Sequence, residues 1–182
     1  GETDVTENYT FGESVDGSLE ITKRSVTLTS ADGSKVYDKT ALTNREVAVT
    51  GDGFAEGEGA AYTVTGSQRV VGDSKNAFTY TLNEGTKAEN YNISTVEGTL
   101  TVTPYTEAIT VTITEHSGNA KYDGKIHNVT GYDVEIDDEL YTESDFSFNG
   151  NDAITGTDAG SYPMGLTAED FTNTNSNFTN VT

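Results

Sequence analysis

The sequence predicts an all-β protein made of two tandem Ig-like β-sandwich repeats, with β-grasp-like units as the alternative. Three observations lead there. First, one passage is spelled twice. Val26-Thr27-Leu28-Thr29, seven residues, then Tyr37-Asp38 returns as Val111-Thr112-Ile113-Thr114, seven residues, then Tyr122-Asp123. The offset is 85 positions, and no gap is needed between the marks. A period that long exceeds the ordinary solenoid unit and gives each copy enough chain to bury a core of its own. Second, apolar residues alternate with Thr, Ser and Glu over many short stretches, the period-two pattern of half-buried strands. Third, turn signals rich in Gly, Asp and Asn recur at short spacing with no helix-length segment between them. That excludes βαβ units and favours a sandwich.

In chain order, Leu19 and Ile21 alternate with Ser18 and Glu20 and mark a strand over 18–22. Val26 and Leu28 mark the next, over 26–29. Further strands are expected at 46–50, 61–65, 76–82 and 98–103, where Thr, Val, Tyr and Phe supply the residue types that fit a pleated surface. In the second copy the strands fall at 109–114, 128–136, 145–149 and 160–166. Turns are expected at Asp32-Gly33, Gly51-Asp52-Gly53, Gly72-Asp73, Ser117-Gly118-Asn119 and Asp158-Ala159-Gly160. One helical turn is expected at 167–171, matching 84–89. The closing strand of each unit leads almost directly into the next opening strand, through Lys23-Arg24 and through Pro104-Tyr105. Connections this short, with little Gly, leave small freedom and predict a semi-rigid rod.

A third, partial copy stands at the front. Asn8-Tyr9-Thr10-Phe11 and Val15-Asp16-Gly17-Ser18-Leu19-Glu20-Ile21 match Asn90-Tyr91-Asn92-Ile93 and Val96-Glu97-Gly98-Thr99-Leu100-Thr101-Val102. Residues 1–23 therefore read as the closing strand of a preceding repeat, 24–104 as the first β repeat, and 105–182 as the second. The second reads as lacking part of its last strand after Asn177-Phe178-Thr179-Asn180-Val181. The chain thus reads as a window from a longer array. An orphan closing strand and an incomplete sheet are a donor–acceptor pair by type, which makes strand addition between molecules an expectation. The competing arrangement has residues 1–23 extending or packing against the first repeat.

Composition narrows the function classes. The 182 residues hold no Cys, which removes disulfides, thiolate metal sites and a Cys nucleophile. Thirty acidic residues against ten basic ones give a net charge of −20. Such a surface repels phosphate backbones and anionic headgroups, so neither nucleic acid nor membrane is an expected partner.

The passages Ser34-Lys35-Val36-Tyr37-Asp38-Lys39-Thr40-Ala41-Leu42, Gly51-Asp52-Gly53-Phe54, Thr79-Tyr80-Thr81-Leu82, Asn90-Tyr91-Asn92-Ile93 and Gly98-Thr99-Leu100-Thr101-Val102 resemble the MBG-type repeats of bacterial surface proteins. The second copy keeps Tyr122-Asp123-Gly124 and Gly160-Ser161-Tyr162 and departs through its middle. The resemblance implies an adhesin-like protein on the surface or cell wall of a Gram-positive bacterium. It reports fold and context, and transfers no binding residues.

Tyr37-Asp38 and Tyr122-Asp123 are the chemically interesting pair at equivalent positions. One reading is a sugar-stacking Tyr beside a hydrogen-bonding carboxylate. The other has Tyr packing at the strand end while Asp caps the following turn. Asp137-Asp138-Glu139 could offer oxygens to Ca²⁺, but the run lacks the alternating spacing of a dedicated loop and reads equally as a solvated one. His116 and His127 form no ligand pair, and no carboxylate pair is placed for glycoside chemistry. The chain is therefore expected to be no enzyme and to need no cofactor. The expected function is an extracellular structural or adhesive stalk module whose partners are neighbouring repeats. The alternative is a module recognising host glycan or protein.

Overall fold

The computed structural model describes residues 12–182, and the passage at 8–11 that echoes Asn90-Tyr91 lies outside them. Within 12–182 the protein is all-β, and its helical content is three short 3-10 turns at Ala88–Asn90, Glu143–Asp145 and Ala168–Asp170. The first strand, β1 (Arg24–Ser30), shows why. Val26, Leu28 and Ser30 point inward and are buried, while Thr27 and Thr29 between them are half-exposed, as the period of two demands. β1 pairs antiparallel with β3 (Val47–Gly51) and parallel with β7 (Tyr91–Val96). A second sheet sets β8 (Thr99–Thr103) between β2 (Gly33–Val36) and β5 (Gly72–Lys75), parallel to the former and antiparallel to the latter. A hairpin-like pair, β4 (Ala60–Val64) with β6 (Phe78–Leu82), completes residues 24–104.

Two arms of chain change sheet together. β1 hands over to β2 across Ala31-Asp32, and β7 to β8 across Glu97-Gly98. The crossing is bolted by buried polar groups. Ser30 Oγ donates to the Asn76 carbonyl at 2.6 Å and accepts from Gly98 N at 3.0 Å. Asn76 Nδ2 donates to the carbonyls of Ala31 and Asn44 at 2.8 and 2.9 Å. A Cβ on Gly98 would stand 2.5 Å from the Ser30 carbonyl oxygen, so the two arms approach at a distance only glycine permits.

Residues 105–182 form three two-stranded ladders: β9 (Val111–Glu115) with β11 (Tyr132–Ile136), β10 (His127–Thr130) with β13 (Ala153–Gly156), and β12 (Phe146–Phe148) with β14 (Phe171–Asn173). In β1–β3, Val26 faces Gly51 and Ser30 faces Val47. In β9–β11, Val111 faces Ile136 and Glu115 faces Tyr132. Each of these four partners is displaced by the same 85 positions. Tyr105 and Ile109 run parallel to Phe178 and Val181, as β1 runs parallel to β7.

Three expectations need correction. The strand expected over 18–22 joins no ladder, and its residues are exposed, because no described strand lies beside it. The strand expected over 160–166 does not form, although Met164 and Leu166 are partly buried. The single strand expected over 128–136 is two, broken where Gly131 takes φ +88° and its N–H turns to the Asp152 carbonyl. Conversely, Gly33 and Gly72-Asp73, read as turns, start strands. β8 offers both of them a ladder, and that tertiary partner overrides their turn chemistry.

Gly98→Ala is expected to lower the unfolding free energy by about 1–3 kcal/mol, since the added methyl meets backbone that cannot step aside. Urea denaturation checks this. An unchanged midpoint would show that the crossing is looser than described.

Candidate functional site

The largest apolar cluster does not lie inside either stretch of repeated sequence. It lies between them. Tyr37 and Val102 from the first half meet Ile109, Tyr141 and Phe178 from the second, all buried, with Leu42, Val71, Tyr105, Phe146 and Val181 packed around. Phe178 is the hub. Its ring is edge-on to Tyr37 at 5.4 Å, to Tyr141 at 5.2 Å and to Tyr105 at 5.8 Å between centroids. These T-shaped pairs set ring edges against ring faces and add to the area they bury.

Polar contacts fix the register of this junction. The Val71 N–H donates to Asn177 Oδ1 at 2.8 Å, and Lys39 Nζ stands 3.9 Å from Asp145 Oδ2. Tyr105, in the connecting segment, donates its hydroxyl to Asp138 Oδ2 at 2.6 Å, and that carboxylate pushes the phenol pKa up. Asp145 would be raised by burial. Hydrogen bonds from Asn175 and Thr142, with the Lys39 charge, outweigh that and hold it below the ordinary carboxylate value.

The Tyr-Asp motif is now resolvable in two parts. Tyr37 is a junction residue, pressed against Phe178. Asp38 caps the following turn: its Oδ1 accepts from Thr40 N at 2.9 Å, from Thr40 Oγ1 at 2.7 Å and from Lys35 Nζ. Those bonds, the Lys35 ammonium first, hold its pKa at about 2. Lys39, next in the turn, takes φ +64°, and its carbonyl is pinned by Arg69 Nε at 3.0 Å. In the second half Asp123 caps its own turn through Lys125 N at 3.0 Å and meets His127 Nε2 at 2.9 Å, and its pKa is lowered. Tyr122 has no such neighbour and is 66% exposed.

The acids weighed as Ca²⁺ ligands are engaged elsewhere. Asp137 Oδ1 accepts from Thr110 N, and Asp138 accepts from Leu140 N as well as Tyr105. Glu139 faces solvent. Among the described residues no cluster of His, Asp and Glu is arranged to hold a metal ion. His116 bonds Asp133 and the Thr130 carbonyl, which raise its pKa. The surface hollow lined by Asp32, Gly33, Ser34, Thr99 and Thr101 is shallow and open. No family model, curated protein or solved structure matches this chain.

Sequence reasoning singled out Tyr37 but missed its partner Phe178, the Tyr141 ring on Phe178, and the Asn177 bond to Val71. The available signal was the aromatic content of the second copy, Tyr105, Tyr141, Phe146 and Phe178 among it. What the arrangement does is pack residues of 24–104 against residues of 105–182.

Two outcomes follow. Phe178→Ala removes the hub of the cluster and should cost about 3–5 kcal/mol, read by thermal or urea unfolding. The Asp38 pKa is depressed, so its stabilising effect is fully present above the usual carboxylate value and is lost as pH falls through about 2. Relative to Asp38→Asn, the parent should keep little of its advantage at pH 2 and regain most of it above pH 4. In the Lys35→Met variant, NMR titration should find the Asp38 pKa moved up toward 3.8. An unmoved value would remove Lys35 as the cause.

Proposed function

We propose that this chain is a structural and adhesive module of an extracellular bacterial surface protein, with residues 24–104 and 105–182 as two tandem Ig-like β-sandwich repeats of a semi-rigid stalk. The single observation that carries the proposal is the junction. A module whose task is reach must transmit orientation from one unit to the next, and here the deepest aromatic packing sits at the connection rather than in a cleft. The matching registers of β1–β3 and β9–β11 support the repeat. The resemblance to MBG-type repeats supports the cell-surface setting, and the high negative charge suits crowded copies that must not aggregate.

A second reading, recognition of host glycan or protein, is favoured by one observation. Tyr122 offers an exposed ring beside the ordered carboxylate of Asp123. A glycan array probed with the chain and with Tyr122→Ala separates the two. Specific binding lost in the variant would promote recognition over reach.

For the stalk, small-angle scattering should give an elongated particle with one preferred angle between the halves. Tyr37→Ala should broaden the distance distribution while each half keeps its circular dichroism. A broad distribution in the parent would count against the stalk.

A further inference from the structure

Three groups from distant parts of the chain meet at the junction in an order that an ion pair alone does not require. Lys39 belongs to the turn after β2, Asp145 ends the second 3-10 turn, and Asn175 follows β14. Lys39 Nζ stands 3.9 Å from Asp145 Oδ2, and Asn175 Nδ2 donates to Asp145 Oδ1 at 2.6 Å. An amine and a primary amide are therefore placed on the two oxygens of one carboxylate. The Asp145 side chain is 12% exposed and that of Lys39 is 35%.

The amide is held as an electrophile. Asn175 Oδ1 accepts from Asn177 N at 3.0 Å and from Asn177 Nδ2 at 2.7 Å. Two N–H donors on one carbonyl oxygen are what negative charge developing at that atom needs, and both are already in place. The acid is fixed as firmly. Asp145 Oδ2 accepts from Thr142 N and Thr142 Oγ1, each at 2.9 Å, and the Asp145 carbonyl accepts from the Tyr141 hydroxyl and from Thr174 N. The amine is presented by unusual backbone. Lys39 takes φ +64°, the one positive φ outside glycine among the described residues, and Arg69 Nε holds its carbonyl at 3.0 Å. Gly or Asn would occupy that region with less strain. At 3.9 Å the Lys39 amine makes no hydrogen bond to Oδ2, which leaves it free to turn from the carboxylate to the amide.

We propose that Lys39 and Asn175 join through a side-chain amide, with Asp145 as the catalytic base and acid, closing a covalent clamp between residues of 24–104 and residues of 105–182. The neutral Nζ attacks Asn175 Cγ. The Nζ–Cγ bond forms as the carbonyl electron pair moves onto Oδ1, where the two Asn177 donors meet it. Asp145 takes a proton from the attacking nitrogen and gives it to Nδ2. The Cγ–Nδ2 bond then breaks and ammonia leaves. Amine and primary amide become secondary amide and ammonia, so the balance needs no other reactant. The bonds that keep Asp145 ionised keep it in the form that accepts the proton. Such a bond fastens the junction whether the chain serves reach or recognition.

Intact-protein mass spectrometry of the full chain reads the reaction directly. After folding and incubation, the parent should be lighter than its sequence by one ammonia per chain. Tryptic digestion of the denatured parent should give a branched peptide joining Lys39 to Asn175, because trypsin does not cut after an acylated lysine. Lys39→Arg keeps the charge, offers no nucleophilic amine and should stay at full mass. Asp145→Asn should slow the mass loss by about a hundredfold or more. Circular dichroism checks that both variants fold. Should Asp145→Asn not fold, Lys39→Arg decides alone, since it changes a partly exposed side chain. A folded parent that stays at full mass, a deficit that persists in Lys39→Arg, or a branch between other residues would overturn the clamp.

Discussion

The polar bolt at Asn76 is the constraint on which the first half depends. Two adjacent arms, β1–β2 and β7–β8, must leave one sheet and enter another at the same level. Any such crossing exposes backbone groups that neither sheet can satisfy. Asn76 answers by donating to the Ala31 and Asn44 carbonyls, while its own backbone bonds Gly98 and Ser30. A buried amide is costly to desolvate and is tolerated only where its bonds are needed. Because Gly98 has no side chain, the arms can approach closely. That approach places Leu100 and Val102 between β2 and β5, and carries Thr103 to the junction, where it accepts from Tyr37 N at 2.9 Å.

The acidity of the chain has a structural use that composition alone conceals. With 30 carboxylates and ten cations, salt bridges cannot be the main partners. Backbone N–H groups take that role. Asp32 accepts from Thr99 N, Asp52 from Ser25 N, Asp137 from Thr110 N and Asp138 from Leu140 N. At two 3-10 turns Asp145 and Asp170 accept from Thr142 and Thr167 in capping boxes. These are charge-assisted bonds at turns and strand starts, so the acids act as short-range staples rather than as a ligand cluster. Tyrosine hydroxyls serve others, as Tyr91 does for Glu58 and Tyr105 for Asp138.

The strands written by alternation were legible in the sequence. β1, β3, β4, β6, β8 and β9 lie within a residue or two of where Val, Thr, Ile and Tyr put them. Strands β2, β5, β7, β13 and β14 were not expected, and two of them have a clear cause. β2 and β5 are Gly-, Ser-, Lys- and Asp-containing tetrapeptides whose own preference is turn, and they become strands because β8 supplies hydrogen bonds on both sides. Equivalent segments without that neighbour stay out of ladders, although Gly160-Ser161-Tyr162 had looked the better strand. The Asx turns at Asp38 and Asp123 were readable too, because the bond spans two residues. The junction was not, since Tyr37 and Phe178 are joined by no local pattern.

The stiffness proposed between the halves would rest on more than the brevity of the connection. A short peptide linker is still free about its dihedrals, and fixing each residue costs roughly 1–2 kcal/mol of backbone entropy. Here the connecting residues are held as members of the second half. Tyr105 N donates to the Asn177 carbonyl, and the Tyr105 carbonyl accepts from Thr179 N, at 2.9 and 3.2 Å. The Tyr105 side chain then packs on Phe178, whose other faces meet Tyr37 and Tyr141. One ring therefore senses the end of β2, the connection and the body of the second half at once. To bend at Pro104 the chain must part Tyr37 from Phe178 and Val71 from Asn177 together. In the stalk reading, resistance to bending would come from that shared packing, with proline's fixed φ adding to it.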